Sequence, residues 1–183
     1  ILRFSLTFAR LVCKGMIVIG RDNRASGEWI SQLVAAGLLS AGNDVVDIGI
    51  APTPTVGIAT KKLGATGGVI ITASHNSAEW NALKFYNHKG LFLEPERIGQ
   101  LTEKAAEQIG HVSATACGQS HADTSALETH CRRVLENVER SSIASHGYRV
   151  AVDGCRSVGG IFLPRLLREL GCEVIEVDCE PDG

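Results

Sequence analysis

Met16-Ile17-Val18-Ile19-Gly20-Arg21-Asp22-Asn23-Arg24-Ala25-Ser26-Gly27 passes from a β-branched apolar run into a charged loop. Residues 16–20 read as a buried strand stopped by Gly20. Residues 21–26 form a polar loop at its carboxyl end. Ser26 stands where it can cap a helix whose apolar residues Ile30, Leu33, Val34 and Leu38 share one face. Glu28 suits the positive end of that helix, and Gly42-Asn43 ends it. Residues 45–50 are the next strand. Strand, loop, helix and strand in succession predict a mainly parallel α/β sheet covered by helices on both faces.

Upstream, residues 1–12 are largely apolar, with Arg3 and Arg10 the only charged side chains. No basic segment precedes the apolar block as in a signal peptide, and Leu2, Leu6, Ala9 and Cys13 fall at helical spacing. This predicts an amphipathic core helix. Downstream, Pro52 and Pro54 bar a continuing ladder and begin a helix to about Leu63. Residues 68–72 form a third strand, and two short apolar segments, 83–86 and 91–93, flank the turn Asn87-His88-Lys89-Gly90. Pro95 opens a helix with Ile98, Leu101, Ala105 and Ile109 on one face. Residues 110–123 read as a loop, and Ser125 with Glu128 as a capping box. The apolar stripe Leu127, Cys131, Val134, Leu135 and Val138 predicts a core-facing helix. Residues 141–147 read as a linker, after which the pattern restarts: strand 148–152, a turn at Asp153-Gly154, a helix to about Leu170 and strand 173–178. Pro164 makes that helix either begin late or kink.

The chain of 183 residues is 44% apolar and 21% charged, in the range of ordinary globular proteins. A net charge of −2 supplies no basic field for nucleic acid or anionic lipid. No apolar run reaches the roughly 18 residues that cross a bilayer. With no leader and no span, the expectation is a cytoplasmic protein. None of the six cysteines forms a C-x-x-C pair, and the reading is of buried, reduced thiols. His111, Cys117, His121, His130 and Cys131 match no zinc template. The first residue is Ile1 rather than Met, and Glu180-Pro181-Asp182-Gly183 looks like a turn, so a piece of a longer chain is expected.

Open α/β sheets bind ligands at loops leaving the carboxyl ends of strands. Three such loops are polar: 21–24, 53–55, and 72–76 with its continuation to Lys84. In the last, an apolar strand delivers Thr72-Ala73-Ser74-His75-Asn76, an imidazole beside a hydroxyl. A phosphoryl group on such a serine brings about −1.5 to −2 charges near neutral pH. His75 and Lys84 could compensate that charge and move protons. The alternative is that Ser74, Asn76 or Ser77 simply caps the turn, with Glu79 as capping partner. The block lacks the glycines of a G-x-S-x-G elbow, and Asp153–Gly160 lacks the G-K-[ST] of a P-loop.

Thr72-Ala73-Ser74-His75-Asn76 with Glu79-Trp80-Asn81-Ala82-Leu83-Lys84-Phe85 resembles the T-A-S-H-N-P…N-G-x-K-F signature of the α-D-phosphohexomutases. Gly20–Gly27 is similar to their G-R-D-x-R-x-S-G segment, and Gly49 through Pro54 to their G-x-x-P-T-P. The resemblance implies a four-domain enzyme. Residues 1–143 would be its domain 1, a three-layer α/β/α domain with a mainly parallel mixed sheet. Residues 144–183 would be the first part of a second, similar domain. Carried over, Ser74 is the phosphoserine and a Mg²⁺ ligand through its phosphate, with His75 and Lys84 around the transferring group. The implied reaction interconverts hexose 1-phosphate and 6-phosphate through a bisphosphate. Ser77 stands where the family has Pro and Ala82 where it has Gly. The family's metal, sugar and terminal phosphate loops lie outside the chain, so the 183 residues alone are expected to be inactive. The rival expectation is a non-catalytic phosphosugar-binding or assembly module.

Overall fold

A computed structural model describes residues 1–107 and 110–182. Its first sheet has the order β4-β3-β1-β2-β5, built from β1 (Met16–Arg21), β2 (Asp44–Ile50), β3 (Gly67–Ile71), β4 (Leu83–Asn87) and β5 (Ser120–Ala122). All neighbouring pairs are parallel except β3 with β4, which is antiparallel. Helices α1 (Leu2–Leu11), α2 (Gly27–Ser40) and α4 (Pro95–Lys104) cover one face; α3 (Thr53–Lys62) and α5 (Ala126–Leu135) cover the other.

Side-chain alternation along the strands makes these two faces. Ile17 and Ile19 of β1 and Val69 and Ile71 of β3 pack with Phe8, Val34, Leu38 and Leu101. Val18 and Ile70 point oppositely, into Ile48, Val56, Ala59 and Tyr86. Both sheet faces are therefore apolar, as a doubly covered parallel sheet requires. Each aliphatic side chain fully buried here contributes about 1.5–3 kcal/mol.

The β1–β2 ladder slips between Ile19 and Arg21. Gly49 takes up the extra residue at φ +68°, a left-handed conformation that suits glycine. Its N–H donates to Asp47 Oδ1 at 2.8 Å, and pairing resumes with the Ala51 N–H donating to Arg21 O at 2.9 Å. The bulge thus sets where the loop after β1 departs.

A second, two-stranded parallel sheet pairs β6 (Arg149–Asp153) with β7 (Glu173–Val177), joined by α7 (Val158–Glu169). Cys131 of α5 forms a small core with Phe162, Leu166 and Leu170 of the α7 segment, flanked by Leu127 and Val134, so α5 packs against α3 on one side and α7 on the other. Ile175 and Val177 stay exposed on β7. Helix α7 starts at Val158 and runs through Pro164, so it does not begin late.

Several expectations need correction. Residues 141–147 are not an open linker but mostly α6 (Arg140–Ser145), ended by Gly147 at φ +59°. Residues 110–123 hold a short 3₁₀ turn, Ala114–Ala116, and the edge strand β5. Neither Ser26 nor Ser125 makes a side-chain cap: Ser26 Oγ accepts from Asn81 Nδ2, and Glu128 instead meets Arg132 and Arg165. The expected buried cysteines are mostly accessible, because they sit at element ends and in loops. Only Cys131 is buried; Cys13, Cys117 and Cys155 are exposed. In α1, Leu2 is exposed and Cys13 lies beyond the helix, while Ser5 and Thr7 join the buried face. Helix α4 ends at Lys104 with Leu101 buried; the expectation for Ile109 lies outside the described residues, as does Gly183. No helix among the described residues is long and apolar enough to cross a membrane.

Candidate active site

Strand β3 is apolar throughout and buried at every position. It ends at Ile71, and the following Thr72 N–H still donates to Ala82 O at 3.0 Å, so the chain leaves the sheet beside the start of β4. Thr72 is buried, and its Oγ1 accepts the Ser74 N–H at 3.0 Å. Ser74 itself is exposed and stands at φ +57°, a left-handed backbone rare for a serine. Its Oγ lies 3.5 Å from His75 Nδ1. The hydroxyl is thus accessible with an imidazole at its side.

The neighbouring loop, after β1, reaches across to hold this turn. Asp22 and Arg24 form an ion pair at 3.1 Å with side chains only 12% and 13% exposed. Arg24 Nη2 donates to Ser74 O at 2.9 Å and to Asn76 O at 2.6 Å. Its Nη1 donates to Ser77 O at 2.7 Å and Trp80 O at 3.1 Å. Adjacency of β1 and β3 in the sheet is what brings the two loops together.

A third loop closes the site. The turn between β6 and α7 is left-handed at Cys155 and Arg156. It bonds Asn23 twice: Asn23 Nδ2 donates to Arg156 O at 2.7 Å, and Ser157 Oγ donates to Asn23 Oδ1 at 2.8 Å. Arg156 also pairs with Asp178 and Asp182 at 3.2 and 2.7 Å. These loops enclose a cavity of about 180 Å³ lined by Asp22, Arg24, Ser74, Asn76 and Arg156 among others. Asp153 beside Cys155 pushes that thiol's pKa up, which disfavours the thiolate on the cavity wall. A larger groove of about 470 Å³, lined by Thr53, Tyr86 and Phe92 with the basic Lys61, Lys89 and Arg133, shares no residue with this cavity.

Of the three residues singled out from sequence, Ser74 and His75 come together. Lys84 lies in β4 opposite Ile70, on the sheet face of α3, and does not line the Ser74 cavity. It has no hydrogen-bond or ion-pair partner among the described residues. The loop 53–55 begins α3 and is tied elsewhere, with Tyr86 Oη donating to Thr53 O at 2.7 Å. Ser77 and Ala82 disturb little: Ser77 Oγ donates to Glu79, and Ala82 is not left-handed. Arg24, Asn23 and Arg156 were not singled out from sequence. The signals for Arg24 were its place in the polar loop 21–24, its match to the second arginine of the G-R-D-x-R-x-S-G segment and its spacing two residues after Asp22.

The family model for phosphoglucomutase/phosphomannomutase, alpha/beta/alpha domain I, matches residues 1–112, and that for alpha/beta/alpha domain II matches residues 128–183. The chain belongs to the phosphoglucomutase/phosphomannomutase family. Within this phosphohexomutase family, a phosphoglucomutase/phosphomannomutase of Thermococcus kodakarensis is 37% identical over 169 residues, covering 92% of this chain and 37% of the relative. A phosphoglucosamine mutase of Alkaliphilus metalliredigens is 35% identical over 168 residues, covering 91% and 37%. A solved phosphoglucomutase/phosphomannomutase family protein of Burkholderia thailandensis superposes with a TM-score of 0.82 at 24% identity, covering 99% of this chain and 39% of that one. That likeness supports the fold alone. The phosphohexomutase chain described here spans under two-fifths of the length of these two curated relatives.

Proposed function

We propose that this chain carries the phosphoserine loop of a hexose phosphate mutase, with Ser74 as the residue that donates and takes back the phosphoryl group. The observation that carries the reading is Ser74 Oγ, exposed on a loop braced by Arg24, beside His75 and facing a cavity.

In the forward step a hydroxyl oxygen of a hexose 1- or 6-phosphate attacks the phosphorus of phospho-Ser74. The P–Oγ bond breaks, its electron pair stays on Oγ, and Oγ takes a proton while the sugar hydroxyl gives one up. The resulting bisphosphate returns its other phosphoryl group to Ser74 by the same step in reverse. His75 lies within reach of Oγ for that proton. Lys84 is the second proposed acid/base group, acting once the remaining domains complete the cleft. Catalysis of this kind is chiefly positioning and charge neutralisation.

Mg²⁺ is the proposed metal, and it neutralises charge on the phosphoryl group when bound. The residues here offer it one oxygen donor, the phosphate on Ser74. Asp22, the carboxylate lining the cavity beside Ser74, is held by Arg24, and no three His, Cys, Asp or Glu side chains among the described residues converge on a metal position. Residues 1–143 and 144–183 are proposed as domain 1 and the opening of domain 2, in a cytoplasmic enzyme.

The test uses the full-length protein. Phosphopeptide mapping is expected to find phosphate on Ser74, and Ser74→Ala is expected to lower hexose phosphate mutase turnover by at least about 10³-fold. Full turnover by Ser74→Ala would end the reading.

A further inference from the structure

We infer that Arg24 is the positioning residue of the phosphoryl-carrying loop: through four main-chain carbonyls it fixes the left-handed backbone of Ser74 and so the direction of Oγ. The inference rests on the proposed role of Ser74 and assigns the part that makes that serine competent.

A guanidinium has five N–H donors in a fixed planar fork. In Arg24 all five are occupied. Nε donates to Asp22 Oδ2, Nη1 to the carbonyls of Ser77 and Trp80, and Nη2 to those of Ser74 and Asn76. Asp22 holds the head in register, since its Oδ1 also accepts the Arg24 main-chain N–H at 3.1 Å. The carbonyls belong to a turn with three internal bonds: Ser74 N–H to Thr72 Oγ1, Asn76 N–H to Ala73 O and Trp80 N–H to Ser77 O. Those bonds are local and leave the carbonyls of 74, 76, 77 and 80 without a common anchor. Arg24 supplies it, and a strained backbone at a reacting residue persists only where its surroundings hold it.

Saturation of the five donors also excludes an alternative. A guanidinium with no free N–H cannot bind the phosphate on Ser74 without releasing the loop, and its charge is already balanced by Asp22. Arg24 therefore acts on the chemistry through Ser74, not by touching the phosphoryl group. Lysine keeps the charge but has three donors and no planar fork, so it cannot replace arginine here.

The test is Arg24→Lys in the full-length protein, assayed for hexose phosphate interconversion with Ser74→Ala in parallel. The expected result is a kcat about 10²-fold lower with KM within about twofold of the parent. The ³¹P resonance of phospho-Ser74 is expected to move, while the far-ultraviolet circular dichroism stays that of the parent. A parental kcat, or a loss confined to KM, would overturn the inference; the latter would mean that Arg24 contacts the substrate. Should Arg24→Lys fail to fold, Asp22→Asn decides: it leaves the five donors but loosens Nε, and kcat must fall at unchanged KM. Activity retained by Ser74→Ala would sink the reading of Ser74 itself, whereas an inactive Ser74→Ala beside a fully active Arg24→Lys sinks only the role of Arg24.

Discussion

Ser74 holds φ +57°, a conformation that costs an L-residue about 1–2 kcal/mol and costs glycine almost nothing. Two substitutions that both delete the hydroxyl should therefore differ in stability. Ser74→Gly is expected to be more stable than Ser74→Ala by about 1 kcal/mol, read from urea midpoints; equal midpoints would mean that the loop is free to relax. The serine and its imidazole neighbour were legible because they adjoin in the chain at the end of an apolar strand. Arg24 was not legible as a clamp. Its acceptors are main-chain carbonyls fifty and more positions away, and carbonyls are the same in every residue type. Lys84 shows how little distance along the chain says about placement. Ten positions from Ser74 in sequence, it is carried by β4 onto a sheet face rather than into the cavity.

Elements with strong apolar periodicity were readable, and those defined by backbone pairing alone were not. Strand β5 is Ser120-His121-Ala122, exposed throughout, and exists because its backbone pairs with Val45–Asp47. Helix α6 has no buried residue, so its composition resembles a linker. The second β-α-β unit depends on a close approach that sequence marks only by its glycines. A Cβ on Gly160 would overlap the Cys179 main chain, which crosses the start of α7. Because the obstacle is backbone, it cannot swing aside as a side chain would. Gly160→Ala is expected to destabilise this unit by about 3 kcal/mol, the upper range of overpacking, seen as earlier loss of helical signal on heating. Parental melting would mean that α7 can shift away from β7.

Across the whole molecule, α5 packs between α3 of the first unit and α7 of the second, and His130 sits at that contact. It is buried, bonds Thr55 of α3 at 2.8 Å and stacks on Phe162 of α7 with ring centroids 4.3 Å apart. Burial lowers its pKa below the ordinary value. The unfolded chain then binds the extra proton first as pH falls. Stability from this group is complete above about pH 6.5 and declines as pH drops toward the lower folded value, where the loss levels off. Melting temperature is expected to fall between pH 7 and 5, and His130→Gln to flatten that slope. An unchanged slope would assign the acid sensitivity to other groups.

Arg24, Asp22, Thr72 and Ser74 all lie within the first 80 residues, and β4, which completes the return from the serine turn, ends at Asn87. On a ribosome adding roughly 5–20 residues per second, a few seconds of elongation separate that point from the emergence of β6 and β7. The nascent chain can seat its Ser74 turn against the loop after β1 during that interval. The later ribbon, with Ile175 and Val177 bare, emerges only after that turn has had time to form.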